Sequence, residues 1–350
     1  VAVATSRSVA GKAPRKLLRV FLNKLVTFIL LLFNLAEGVY LLKHYAFTTL
    51  VGLYVYFTWI TNSIAQSPRP RPEELDVVAE LFDAVVVLLS RSEVEGEYLF
   101  ELKSRGLHVL HKPTLDFHPV ELYDLVEASL FIEDIVSSGG RVLVHCAGGV
   151  GRSSVVTAGY LHYSGLDLYD AVSHVKRRVP GALEVPWQHL ILEDFKDLLK
   201  VVGRSKLRHY VNTLKELGLS EREIRHLFKV FQLTAELSRS LLLDERCLVD
   251  ALLHIHRRGL REKLASALGL RANPSECPLV LLAHGLDYNE ESRVVAVMVD
   301  SVEALRAKIT ALCDEPCIDV VYEANKYREL AERALNKELI IEYDEYMNYT

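Results

Sequence analysis

The sequence predicts an α/β fold: a central, mainly parallel sheet flanked by helices over residues 51–202, followed by a helical stretch and a small α/β unit. Three observations carry that prediction. Short apolar runs at residues 84–89, 107–111 and 141–145 alternate with segments of helical spacing at 73–82, 97–105 and 120–137. The run at 84–89 is continuous and bounded by charge, as in a strand covered on both faces. The run at 141–145 passes directly into a glycine-rich turn and then a helical segment, and open α/β sheets place their sites at such strand ends.

Residues 1–50 form a separate N-terminal segment. Arg7, Lys12, Arg15, Lys16, Arg19 and Lys24 precede the first acidic residue, Glu37, and an apolar run covers 25–33. A basic flank followed by apolar sequence is the pattern of a membrane anchor or signal segment. The uninterrupted run is about half of the ~20 residues a span needs. Asn34 and Glu37 are costly in lipid, and a small-residue cleavage site is missing. A single span with the basic flank inside would also leave the rest of the chain outside. Three readings stay open: membrane association through residues 17–45, an amphipathic helix packed on the protein, or sequence upstream of the true start.

In the following domain, residues 52–60 are β-branched and aromatic and predict the opening strand. Prolines at 68, 70 and 72 make residues 67–72 a loop. Leu75, Val78, Ala79 and Phe82 give 73–82 one apolar helical face. The amphipathic helix over 120–137 stops at Gly139-Gly140, and residues 153–163 and 168–178 predict two more helices. The net charge of −5 gives no general field favouring nucleic acid or anionic membrane. Five scattered cysteines do not form a disulfide scaffold, so reduced thiols in a cytosol-facing chain are expected. Three glutamines and two methionines are few, a weak thermophile signature.

The chemistry concentrates in His145-Cys146-Ala147-Gly148-Gly149-Val150-Gly151-Arg152-Ser153. The glycines let backbone N–H groups approach an anion, and the helix N-terminus adds partial positive charge at the same point. That field favours the thiolate of Cys146. Arg152 offers a planar fork for two phosphate oxygens. A thiolate beside such a cradle is set for in-line attack on phosphorus. Ser153 can donate to the sulfur and ease its departure. A buried structural cysteine in a tight turn would leave the glycines and Arg152 unexplained.

His-Cys-x5-Arg-Ser resembles the signature of protein tyrosine and dual-specificity phosphatases, and its Gly-Gly-x-Gly form looks most like the small dual-specificity enzymes, including archaeal types. The resemblance covers about residues 54–199. It implies a protein tyrosine phosphatase-like fold and metal-free, cofactor-free hydrolysis of phosphotyrosine, often also of phosphoserine or phosphothreonine. It makes Cys146 the nucleophile and Arg152, with the 147–151 backbone, the phosphate cradle. The loop Pro113-Thr-Leu-Asp116-Phe-His-Pro119 resembles the family's acid loop, with Asp116 as general acid; the competing reading is a helix cap. His118 reads as a solvated loop histidine. Gln188 resembles the family's water-positioning glutamine, and His145 is a supporting residue for the loop. Ile60, Ser67 and Pro70 fit the opening strand and turn. The loop positions Ala147, Gly148, Val150 and Gly151 carry no charge, which favours a phosphoprotein over a highly anionic substrate.

After residue 202 the resemblance ends. Residues 203–271 read as helical, with helices at 206–219, 221–240, 244–258 and 260–268 and a capping box of Ser220 and Glu223. Residues 277–350 read as a small α/β unit, with strands at 279–283, 294–299, 318–322 and 339–343 and helices at 301–312 and 325–335. Asp250, His254 and His256 are explained by a helix face near an interface rather than by a metal. The expected protein is thus a cytoplasmic phosphatase acting on phosphoproteins, with candidate membrane association at the cytoplasmic face and no nucleic-acid partner. The alternatives are a phosphatase for a small metabolite or a nucleic-acid end, and a weakly active phosphoprotein-binding module. Oligomeric state and the role of residues 203–350 are not readable.

Overall fold

The structure is a computed structural model that describes residues 56–94, 96–241, 246–257, 259–271, 276–302 and 305–349. The N-terminal readings therefore lie outside the described residues. Among those residues, no helix is long and apolar enough to cross a membrane.

The first sheet contains β1 (Thr58–Trp59), β2 (Ile64–Ser67), β3 (Ala84–Val87), β4 (His108–His111) and β5 (Val142–His145). Their order is β1-β2-β5-β3-β4, with β1 antiparallel and the rest parallel. β5 lies in the middle, paired with β2 and β3, so the turn that follows it emerges from the most enclosed strand. Of the opening strand expected over 52–60, residues 52–55 lie outside the described residues, and Thr58–Trp59 is the paired part of the rest. Helices α1 (Leu75–Leu81), α2 (Tyr98–Ser104), α3 (Leu122–Ser137), α4 (Arg152–Tyr163), α5 (Leu168–Arg178) and α6 (Pro186–Val202) surround the sheet. Every residue of α4 is buried, because it lies between the sheet and other helices.

Next come α7 (Leu207–Glu216), α8 (Glu221–Leu241), α9 (Arg246–Leu252), α10 (Leu260–Leu268) and α11 (Pro278–Leu286). The capping box forms: the Ser220 amide donates to the Glu223 carboxylate at 2.7 Å and the Glu223 amide to Ser220 Oγ at 3.3 Å. The second sheet, β6 (Val294–Val302), β7 (Arg306–Cys313) and β8 (Glu338–Glu345), is joined by α12 (Ile318–Asn325) and α13 (Arg328–Leu335). One buried apolar cluster runs without a break from the first sheet through α8 and α11 to β7. At the α6–α8 contact the buried carboxyls of Asp194 and Glu236 lie side by side. Burial raises both above the ordinary carboxylate range, and their repulsion adds to it for Asp194, which Arg239 partly offsets.

Four element expectations are corrected. Residues 279–283 are helical: Pro278 starts α11, and α8, α12 and α13 enclose it, so it is apolar nearly all round, and periodicity alone cannot separate such a run from a strand. Residues 318–322 are also helical; Val320 and Ala324 face inward while Ile318 and Tyr322 are exposed. Residues 306–313 are a strand despite helix-favouring Ala307, Ala311 and Leu312, because β7 pairs with β6 on one side and β8 on the other. The helix expected over 244–258 ends at Leu252, whose carbonyl accepts from Tyr210 Oη at 2.9 Å. His254 and His256 consequently leave the helix and stand on no helix face.

The thiol expectation is corrected too. Cys247 bonds to Cys277 and Cys313 to Cys317, leaving Cys146 as the free cysteine. The fold brings the paired Cα atoms to 5.3 and 6.4 Å, within disulfide reach. Spacing along the chain does not report such proximity. The bridges remove the argument from reduced thiols to a cytosol-facing chain.

Candidate active site

Cys146 follows β5 at the base of a loop that closes at the N-terminus of α4. The residue is 2% exposed, and its sulfur accepts the Gly149 amide at 3.2 Å and lies 3.4 Å from Ser153 Oγ. The loop carbonyls are tied outward. Ala147 O accepts from the Arg69 amide at 3.0 Å, Gly149 O from Gln66 Nε2 at 2.7 Å and Val150 O from the Leu183 amide at 3.1 Å. In a trans peptide the carbonyl and the following N–H point oppositely. The amides of Gly148, Val150 and Gly151 are therefore turned to the inner side, where an anion would sit.

Gly149 has φ +76°, and a Cβ there would lie 2.4 Å from Pro68 N and Ser67 C. No other residue type fits that close approach to the end of β2. A Cβ on Gly151 would meet Gln188 Nε2 at 2.8 Å. Gln188 is thus packed against the loop, buried, with Oε1 unbonded to protein.

Arg152 is 1% exposed and held from three sides. Glu93 engages it in a fork, 2.6 Å to Nη1 and 3.0 Å to Nη2; Thr114 O accepts from Nη1 at 2.6 Å, and Asp116 Oδ1 lies 2.9 Å from Nη2. Its Nε–H is buried without a protein partner. The bond from Arg152 holds the Glu93 carboxyl down to about 2, against the opposing effect of burial. Burial pushes His145 down to about 4, so its ring is neutral. With the Cys146 carbonyl 3.3 Å from Nδ1, that nitrogen donates and Nε2 accepts from Tyr98 Oη at 2.9 Å.

Asp116 does not cap a helix; it accepts from its neighbour Phe117 and pairs with Arg152. Its side chain is 59% exposed, at the mouth of the site. His118 is not a solvated loop residue. Its Nδ1 lies 2.9 Å from Asp116 O and its Nε2 bonds Asp314, beyond β7. Its ring also packs on Tyr346, centroids 4.6 Å apart, and Tyr346 Oη donates to Phe117 O at 3.0 Å. Burial opposes charge on His118, but the bond to Asp314 and the Asp116 carbonyl outweigh it and raise its pKa above the ordinary imidazole value.

The structure therefore brings Cys146, Arg152, Ser153 and Asp116 together, with His145 and Gln188 behind them. Sequence reasoning missed Glu93, Gln66, Asp314 and Tyr346. Gln66 donates to Ser154 Oγ as well as Gly149 O, each at 2.7 Å, and accepts from Thr157 Oγ1 at 2.7 Å. A glutamine inside a short apolar strand, in a chain with three glutamines, was the available signal. Glu93, Asp314 and Tyr346 carry none.

Residues 82–194 match the family model of the dual specificity phosphatase catalytic domain. Dual specificity protein phosphatase Mpk3 of Drosophila melanogaster is 40% identical over 80 residues, 22% of this chain and 20% of that protein, so the chain spans a fifth of that relative's length. A crystal structure of Tk-PTP in the active form is 40% identical, covering 41% of this chain and 99% of that one, with a TM-score of 0.40. The human DUSP28 structure is 24% identical over 41% of this chain and 95% of its own, with a TM-score of 0.36. On the family match over residues 82–194, this part of the chain belongs to the cysteine-based dual-specificity and protein tyrosine phosphatase superfamily.

Proposed function

We propose that the protein is a protein phosphatase that hydrolyses phosphotyrosine, and phosphoserine or phosphothreonine, through a cysteinyl-phosphate. One observation supports this most directly: the Cys146 sulfur lies under a ring of inward amides beside an Arg152 whose Nε–H has no protein partner. In the first step the Cys146 thiolate attacks phosphorus and the P–O bond to the substrate breaks. Asp116 gives its proton to the departing oxygen. The amides and Arg152 carry the charge that builds on the equatorial oxygens. In the second step a water, held by Gln188, attacks the phosphocysteine. Asp116 takes its proton, Ser153 Oγ–H supports the leaving sulfur, and inorganic phosphate departs.

Asp116 sits on the same Arg152 fork that a phosphate would use, so substrate entry exchanges that ion pair for phosphate contacts. The uncharged loop side chains favour a phosphoprotein over a polyanionic lipid or nucleic-acid end. We treat residues 51–202 as catalytic and 203–350 as an accessory region whose Asp314 and Tyr346 hold the acid loop.

The test is hydrolysis of para-nitrophenyl phosphate and of a phosphopeptide panel by the full chain. Cys146→Ser is expected to abolish turnover while retaining phosphopeptide binding. Full activity in that variant sinks the mechanism, and activity confined to small phosphoesters sinks the phosphoprotein assignment.

A further inference from the structure

Four histidines converge far along the chain from Cys146: His226 on α8, His254 and His256 just after α9, and His284 on α11. One nitrogen from each lies within 4.8 Å of the others. His226 Nε2 is 3.1 Å from His284 Nδ1 and 3.2 Å from His256 Nε2. Such crowding of imidazoles, partly out of water, needs a reason.

The second observation is protonation. His226 turns Nδ1 to the Asp287 carboxylate at 2.8 Å, and His254 turns Nδ1 to Glu276 at 2.6 Å. A carboxylate only accepts, so each Nδ1 carries a proton, and in the neutral ring Nε2 is left as the lone pair. His254 Nε2 is buried with no hydrogen-bond partner. A buried lone pair without a donor, aimed into a cluster of three other imidazoles, is a ligand atom lacking its acceptor. Carboxylates behind the rings are the arrangement that orients metal-binding histidines and raises their basicity. Here there are two of them, enough to balance a doubly charged ion.

We propose that His226, His254, His256 and His284 bind one divalent transition-metal ion of the zinc class. Imidazole suits zinc, and four ligands complete a tetrahedral site. Zn–N bonds of about 2.0–2.1 Å imply N···N separations of about 3.3 Å; two of the separations are already near that, and the widest closes by about 1.5 Å on loading. Asp250 is not a ligand: it accepts from Arg261 Nη2 at 3.0 Å and the Cys277 amide at 3.1 Å. The Cys247–Cys277 bridge joins α9 to the start of α11, the two elements bordering His254 and His284. The ion fastens the same segments to α8. Its closed ligand set makes it a structural centre, independent of phosphate chemistry at Cys146.

The full chain, stripped with chelator and folded by circular dichroism, is titrated with zinc sulfate alone, gel-filtered and assayed for metal. About one zinc per chain is expected, with a tetrahedral ligand-field spectrum when cobalt(II) replaces it. The double variant His254→Gln, His284→Gln is expected to retain no zinc. Asp287→Asn, which keeps all four ligands, should weaken affinity about 10–100-fold. Wild-type zinc content in the double variant, an octahedral cobalt spectrum, or no retained zinc in the folded wild type each overturns the proposal.

Discussion

The two loops that meet at Arg152 are held in different ways. The phosphate loop, residues 146–152, is fixed by its own glycines, by the start of α4 and by neighbours on and just after β2, Gln66 and Arg69. The acid loop around Asp116 is fixed from 196 residues away by Asp314 and from 229 away by Tyr346. One half of the site is thus a local structure inside the sheet. The other depends on a region outside the matched family segment. Cradle geometry and acid placement should therefore fail separately.

The largest effect should come from the local half. Gly149→Ala combines a positive φ with a clash against the β2 end, so the inward amides are lost. A loss of about 10³ in kcat/KM is expected, with unchanged circular dichroism; near-normal activity would show that the loop is not the rigid partner in the comparison. Glu93→Gln keeps the shape but leaves one acceptor where the carboxylate offered two, so a single neutral bond replaces the charge-assisted fork on Arg152. About 1.4 kcal/mol of transition-state binding, or tenfold in kcat/KM, is the expected loss.

The distant half should show a smaller and more selective effect. Asp314→Ala with Tyr346→Phe removes both hydrogen-bonded tethers of the acid loop while leaving the cradle. A fall of about five- to tenfold in kcat is expected, with inhibition by inorganic phosphate unchanged or tighter, since Asp116 competes with phosphate for Arg152. Equal losses in both would merge the two halves.

The smallest effect is on pH dependence. His118 has a folded pKa above its unfolded value, so its stabilising contribution is full below about 6.5 and is lost as pH rises through the raised value. The Tm difference between wild type and His118→Asn should therefore be largest in mild acid and shrink in alkali. A difference that grew with pH would reverse the sign of the Asp314 contact.

The same division separates what was legible from what was not. Cys146, Arg152 and Ser153 could be read because a strand, three glycines and a helix start within nine residues generate their environment. The parallel sheet was legible for a similar reason: strands buried on both faces are continuously apolar. Residues 306–313 and 279–283 were misread, because pairing on both edges made a strand of the first and enclosure by helices made a helix of the second.

By itself, the sequence determined the α/β layering, the position of the Cys146 loop at a strand end, and Asp116 as the acid candidate. Only the tertiary structure decided the Glu93 fork, the anchoring of His118, the two disulfides and the meeting of four histidines. The physical reason is range: backbone conformation and helix-end fields act over a few residues, whereas these contacts, the Cys313–Cys317 bridge apart, join groups from 30 to 229 positions apart, whose proximity exists only once the core has closed.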